Sequence, residues 1–126
     1  MTIKILFMCP HNAAKSVTAA AYMQRIADTR NLAVEIDTAG TDPDPEVLPL
    51  VREQLTKDGF VVDTTPRMVT HIDLTTSDII VNIGCPSDGF PTDKVRTWGI
   101  PNFSEDPGSA FASLSEHVEA LADSIT

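Results

Sequence analysis

Ile3-Lys4-Ile5-Leu6-Phe7-Met8-Cys9-Pro10-His11-Asn12-Ala13-Ala14-Lys15-Ser16 decides the fold. Ile3–Met8, apolar except for Lys4, predicts a strand buried on both faces. The strand runs into Cys9. Five residues then turn the chain, and Lys15-Ser16 opens an alanine-rich helix over Ser16–Asn31. In that helix Val17, Ala20, Ala21, Ile26 and Ala27 form an apolar face. A thiol, a cation and a hydroxyl therefore meet at a helix N-terminus. Backbone N–H groups point outward there, and the helix dipole favours negative charge. Such a position also favours a thiolate over a thiol and so makes a nucleophile. The stretch is a candidate site for binding and attacking a tetrahedral oxyanion.

The runs that follow alternate between strand and helix. Val34–Thr38 reads as a short strand ending in Ala39-Gly40-Thr41. Asp42-Pro43-Asp44-Pro45 sets up a helix over Glu46–Lys57, stopped by Asp58-Gly59. Val69–Leu74 reads as a short helix. Asp78–Ile83 is a second strand of the buried type, ending at Gly84-Cys85. Pro86–Pro91 is a turn-rich loop and Val95–Trp98 an edge strand. Ser109–Ile125 is an amphipathic helix with Phe111, Leu114, Val118 and Leu121 on one side. This alternation predicts parallel β-α-β units, an α/β fold with its sheet covered on both faces. Ligands of such sheets bind beyond the C-terminal strand ends, where Cys9, Thr41 and Cys85 all fall.

The chain reads as one domain, residues 1–126, without repeats or low-complexity segments. Nine basic residues against 18 acidic ones give a formal charge of −9. That balance excludes sequence-independent nucleic-acid binding, and any anion site must be built locally. No window approaches 18 apolar residues, so no membrane span is expected. The first residues read as a strand and not as a cleavable leader. Two distant cysteines are too few for a disulfide scaffold and suit a reduced, cytoplasmic setting. No cluster has metal-ligand spacing, so neither metal nor other cofactor is expected.

A free cysteine is ordinarily a small buried apolar residue. The strand before Cys9, the helix after it, and Asn12 and Ser16 as hydrogen-bonding loop residues favour the chemical role instead. The loop amides of His11, Asn12, Ala13 and Ala14, with Lys15, would then hold an oxyanion, and Ser16 would bond the Cys9 thiolate. Asp106-Pro107 alone is a helix-entry turn; beside a cysteine nucleophile, Asp106 becomes a candidate general acid. Cys85, if it faces Cys9, could attack an adduct on Cys9 and form a disulfide. The His11 side chain either contacts the anion or points to solvent. His71 and His117 read as helix-surface residues, and Trp98 as a core or rim anchor.

These residues resemble the low-molecular-weight tyrosine phosphatase superfamily, which includes the thioredoxin-coupled arsenate reductases. The family's Cys-x-Gly-Asn-x-Cys-Arg-Ser is similar to Cys9–Ser16. Its Ser-Ala-Gly-Thr turn is similar to Thr38–Thr41, and its Asp-Pro pair to Asp106-Pro107. Trp98-Gly99 and Cys85 resemble the arsenate reductase branch. The resemblance implies a three-layer α/β/α fold with a four-stranded parallel sheet, a nucleophile at Cys9 and an acid at Asp106. Three departures stand out. Lys15 replaces the family's Arg, and a single-point donor grips less than a planar fork. Loss of one charge-assisted bond, about 1.5–3 kcal/mol, is roughly one to two decades in rate. His11 replaces the loop glycine. The third cysteine of thioredoxin-coupled reductases is missing, with Phe90-Pro91 in its place.

The resemblance leaves three functions open. An arsenate-reductase-like enzyme would use Cys9, Asp106 and Cys85 on arsenate, then need a thiol-reducing protein or a low-molecular-weight thiol. A phosphatase would hydrolyse phosphomonoesters through phosphocysteine. A non-catalytic homologue would only bind an oxyanion or a partner. Gly108-Ser109 follow Asp-Pro where phosphotyrosine enzymes usually place aromatic residues. That, with Cys85, favours the reductase.

Overall fold

The computed structural model describes residues 2–86 and 89–125. Strands β1 (Ile3–Met8), β2 (Val34–Ala39), β3 (Ile79–Asn82) and β4 (Val95–Thr97) form one sheet in the order β2-β1-β3-β4. Every pairing is parallel. Side chains alternate across β1, so one strand feeds two cores. Ile5, Phe7 and Cys9 join the larger core with Val17 and Met23 of α1 (Lys15–Arg30), Val51 and Leu55 of α2 (Pro49–Lys57), and Leu114 and Val118 of α4 (Pro107–Ile125). Leu6 and Met8 join the smaller core with Ala39, Ile80 and Cys85, against which Val69, Phe90 and Leu74 of α3 (His71–Thr76) pack. The result is a three-layer α/β/α sandwich with a four-stranded parallel sheet. Full burial of each large β1 side chain stabilises by about 1.5–3 kcal/mol.

Element boundaries depart from the sequence expectations for local reasons. The helix expected over Glu46–Lys57 begins only at Pro49. A residue before proline is driven out of the α region, and Leu48 sits at φ −55°, ψ 126°. The helix expected over Val69–Leu74 lies two residues later. There Thr70 accepts from the Asp73 amide at 3.1 Å, and the Asp73 carboxylate accepts from the Thr70 amide at 2.8 Å. This capping box fixes the start of α3. The last helix begins at Pro107, an imino acid suited to a first turn. In the loop expected over Pro86–Pro91, residues 87 and 88 lie outside the described residues. Trp98 is the anchor foreseen: its ring packs 5.9 Å from Phe7 and 5.1 Å from His117. His117 is accordingly half-buried and not on a free helix surface. Among the described residues, no helix is long and apolar enough to cross a membrane.

Candidate active site

β1 and β3 are neighbours while β1 connects first to β2 on its other side, so chain direction diverges at their C-terminal ends. Such a divergence opens a crevice. The loop from Cys9 to Ala14 lies there. Cys9 is buried, and its Sγ lies 3.1 Å from the Ser16 Oγ and accepts from the Ser16 amide at 3.4 Å. Asn12 donates from Nδ2 to the Ser16 Oγ at 2.8 Å. Having accepted that bond, the Ser16 hydroxyl has its own proton for the sulfur. Two hydrogens thus converge on Sγ, the arrangement that holds negative charge there. Asn12 takes φ +49°, a left-handed conformation that asparagine adopts more readily than most residues. Gly40, at the end of β2, allows the close approach that supports this loop. A Cβ on it would lie 2.5 Å from the Pro10 oxygen and 2.7 Å from the Cys9 oxygen. The segment after β2 laces the loop from outside, with Asp42 donating to the Pro10 carbonyl at 2.8 Å and Asp44 to that of His11 at 3.0 Å.

Asn12 is held in turn by Arg67, whose backbone N–H donates to Asn12 Oδ1 at 3.0 Å. The Arg67 guanidinium makes two bonds to Asp73, at 2.9 and 3.0 Å, and one to Asp37 at 2.9 Å. Hydrogen bonds from Arg67 draw the Asp73 carboxyl down to about 2 against the opposing effect of burial, with Thr70 assisting. The same bonds raise the Arg67 guanidinium. A carboxylate depressed in the folded state contributes stability that is complete above its unfolded value of 3.8 and is lost as pH falls toward 2. The expected loss is on the order of 1–2 kcal/mol after allowance for solvent screening. Urea unfolding between pH 5 and pH 2 measures it, and Arg67→Met should flatten that part of the stability curve. An unchanged slope in Arg67→Met would dissociate Asp73 from the effect.

An open cavity of about 500 Å³ lies over the loop, walled by Cys9, His11, Ala13, Ala14 and Lys15 on one side and Asn102–Ser104 on the other. Lys15 Nζ donates across it to Asn102 Oδ1 at 3.0 Å. Among the described residues, the amides of His11, Ala13, Ala14 and Lys15 donate to no protein acceptor, and no side chain caps α1. First-turn amides of this kind are ready donors to an anion. His11 presents Nδ1 to the Asp42 carbonyl at 3.0 Å and to the Asp44 carboxylate at 3.4 Å.

The loop residues anticipated from sequence, Cys9, His11, Asn12, Ala13, Ala14, Lys15 and Ser16, are brought together. Two other residues are placed differently. Asp106 is fully exposed and accepts from the Ser109 amide at 3.1 Å and the Ser109 hydroxyl at 2.7 Å, which caps α4. Those bonds hold its carboxyl below the usual range, and it does not line the cavity. The position facing Lys15 belongs to Asn102, which sequence reasoning passed over because nothing marks it except its place after Trp98. Cys85 is buried and packs with the smaller core, whereas Cys9 packs with the larger. The Asn82 side chain fixes its backbone through bonds of 2.8 and 3.1 Å. Burial pushes the Cys85 thiol up, hydrogen bonds from Thr41 oppose this, and negative charge at Cys9 adds to it. Both thiols are free. Among the described residues, no group of three or more acidic, histidine or cysteine side chains is disposed to hold a metal.

The sequence model of the low molecular weight phosphotyrosine protein phosphatase family matches residues 4–86, which include the Cys9 loop, Gly40, Arg67 and Cys85. A Halobacterium salinarum protein named as a candidate arsenate reductase is 35% identical over 104 residues, 79% of this chain and 73% of that protein. Among solved structures, the arsenate reductase from Archaeoglobus fulgidus shares 32% identity and a TM-score of 0.75, over 93% of this chain and 97% of that one. The thioredoxin-dependent arsenate reductase of Corynebacterium glutamicum shares 27% identity and a TM-score of 0.82 over 98% of this chain. This chain spans 62% of that longer protein. With a family model matching residues 4–86 and a relative 35% identical over 79% of its length, the chain belongs to the low molecular weight phosphotyrosine protein phosphatase family.

Proposed function

We propose that the protein is a thiol enzyme of the arsenate-reductase kind. The observation that carries this reading is the Asn12–Ser16–Cys9 relay beside four unpaired loop amides and Lys15. The Cys9 thiolate attacks arsenate and displaces one oxygen as water. Cys85, as thiolate, then attacks the Cys9 sulfur. The S–S bond forms, the S–As bond breaks with its electron pair going to arsenic, and As(V) leaves as As(III). Two thiols have become one disulfide, and an external thiol must return them. The relative from C. glutamicum is named for thioredoxin, which favours a dithiol protein over a small thiol. A reducing compartment such as the cytoplasm suits this cycle.

A second reading, hydrolysis of phosphomonoesters through a phosphocysteine, is favoured by the placement of Cys85 away from the cavity wall. Arsenate reduction with a dithiol reductant, run beside p-nitrophenyl phosphate hydrolysis, separates the two. Inactivity in both assays would leave an oxyanion-binding homologue.

Lys15→Arg should raise kcat/KM for the preferred substrate about 10- to 100-fold, the value of one regained charge-assisted bond. A guanidinium can give one N–H to Asn102 and still present a fork to the oxyanion. A fall in kcat/KM would show that Lys15 has a role of its own.

A further inference from the structure

An oxyanion site needs its positive charge held in one place, and a lysine does not hold itself. Arginine brings a planar guanidinium whose donors keep one geometry, whereas an ammonium rides on a flexible four-carbon stem. Ordering that stem costs side-chain entropy. Helix α1 fixes the Cα of Lys15 but not its Nζ. Among the described residues, the acceptor that meets Nζ is Asn102 Oδ1, 3.0 Å away across the cavity. An ammonium only donates, so the oxygen of this side-chain amide is the atom that faces it.

Asn102 is itself well anchored. It lies between β4 and α4, and its carbonyl accepts the amides of Glu105 at 3.2 Å and Asp106 at 3.0 Å. Next to it, Phe103 is buried in the larger core with its ring edge-on to Phe111 of α4 at 4.7 Å. The Asn102 side chain is exposed, lines the same cavity as Cys9, and among the described residues bonds to Lys15 alone. An acceptor on a fixed segment thus meets a cation on a loose stem.

We propose that Asn102 is the positioning residue of the anion site, holding the Lys15 ammonium across the cavity above the Cys9 loop. This rests on the reading of Lys15 as the cation of that site and deepens it. Lysine and asparagine together then do what a single arginine does in the family motif. With one of its three hydrogens given to Asn102, the ammonium keeps two for an oxyanion. The asparagine is neutral, so it anchors the cation without cancelling its charge. An entering oxyanion meets a cation already in place, and less affinity is lost to ordering it.

A double-mutant cycle read by calorimetric titration with inorganic phosphate tests this without any turnover. Asn102 is exposed, and Asn102→Ala keeps the backbone bonds to Glu105 and Asp106, so the variant should fold as the wild type does. It should bind phosphate about 5- to 10-fold more weakly than wild type. In the Lys15→Met background the same change should cost less than about twofold, because no ammonium remains to be held. In the Lys15→Arg background the cost should also stay under about twofold, since a guanidinium carries its own fixed fork. A loss of undiminished size in either background would show that Asn102 acts on the loop and not through Lys15, and would overturn the inference. Where Lys15→Met binds too weakly to titrate, the Lys15→Arg arm alone decides. Tighter binding by Asn102→Ala would overturn it as well, because Asn102 would then be drawing Lys15 away from the anion. So would unchanged binding, or a wild type that binds no phosphate. None of these outcomes removes Cys9 as nucleophile, which Cys9→Ser tests by turnover. If the cycle comes out as expected and the wild type turns over neither arsenate nor an aryl phosphate, the enzyme reading falls while the anion site and its positioning residue stand.

Discussion

Cys9→Ser is expected to lower turnover of arsenate or aryl phosphates by at least about 10⁴-fold, since removing the nucleophile of a covalent mechanism abolishes its chemical step. The substitution is nearly isosteric and keeps a polar atom where Ser16 already donates. The hydroxyl is far harder to ionise than a thiol, and the two hydrogens aimed at position 9 cannot make up the difference. The anion site should survive, because its amides belong to His11, Ala13, Ala14 and Lys15 and not to the cysteine side chain. Calorimetric titration with inorganic phosphate should therefore give an affinity within roughly threefold of wild type, the loss lying in kcat rather than in binding. A variant retaining more than a few per cent of turnover would remove both enzyme readings, because each begins with a bond to Cys9.

Much of this was legible in the sequence because the relevant signals are local. Ile3–Met8 reads as buried on both faces because it is: odd and even residues enter different cores. Cys9, Asn12, Lys15 and Ser16 lie within one turn and one loop, so their spacing determines their meeting. Other features depend on contacts that no spacing reveals. Asp106-Pro107 serves equally as an acid motif and as an N-cap followed by a first-turn proline. Ser109 at the third helical position, bonded to the Asp106 carboxylate, shows the cap, a contact that the spacing of the dipeptide does not announce. Asn102 reaches the cavity across 87 residues, to Lys15. Arg67 supports Asn12 through its backbone and gathers Asp37 and Asp73 through its side chain, none of which its neighbours in sequence announce. The core that Cys85 joins was equally hidden. Gly84, at φ +94°, breaks the alternation that would have carried the parity of β3 forward.

Cys85→Ser should reduce steady-state arsenate reduction by at least about 100-fold, because a neighbouring thiol acts at an effective concentration far beyond that of any added one. Ester hydrolysis needs no second thiol and should fall less than about tenfold, so the ratio of the two activities reports the disulfide step specifically. The environment of Cys85 adds a second signature. Burial outweighs the hydrogen bonds from Thr41 and raises the thiol, so at neutral pH little of it is thiolate. Only the thiolate attacks sulfur. If release of arsenite limits the cycle, reduction should climb close to tenfold per pH unit through the neutral range while ester hydrolysis does not. The repulsion between Cys9 and Cys85 works in the same direction. Once Cys9 is bound to arsenic it no longer carries a full negative charge, and that opposition to ionising Cys85 is relieved. The resolving thiol thus becomes easier to ionise when there is an adduct to resolve. Arsenate reduction that survives Cys85→Ser undiminished would place release with an external thiol and leave Cys85 as a core residue of the smaller hydrophobic cluster.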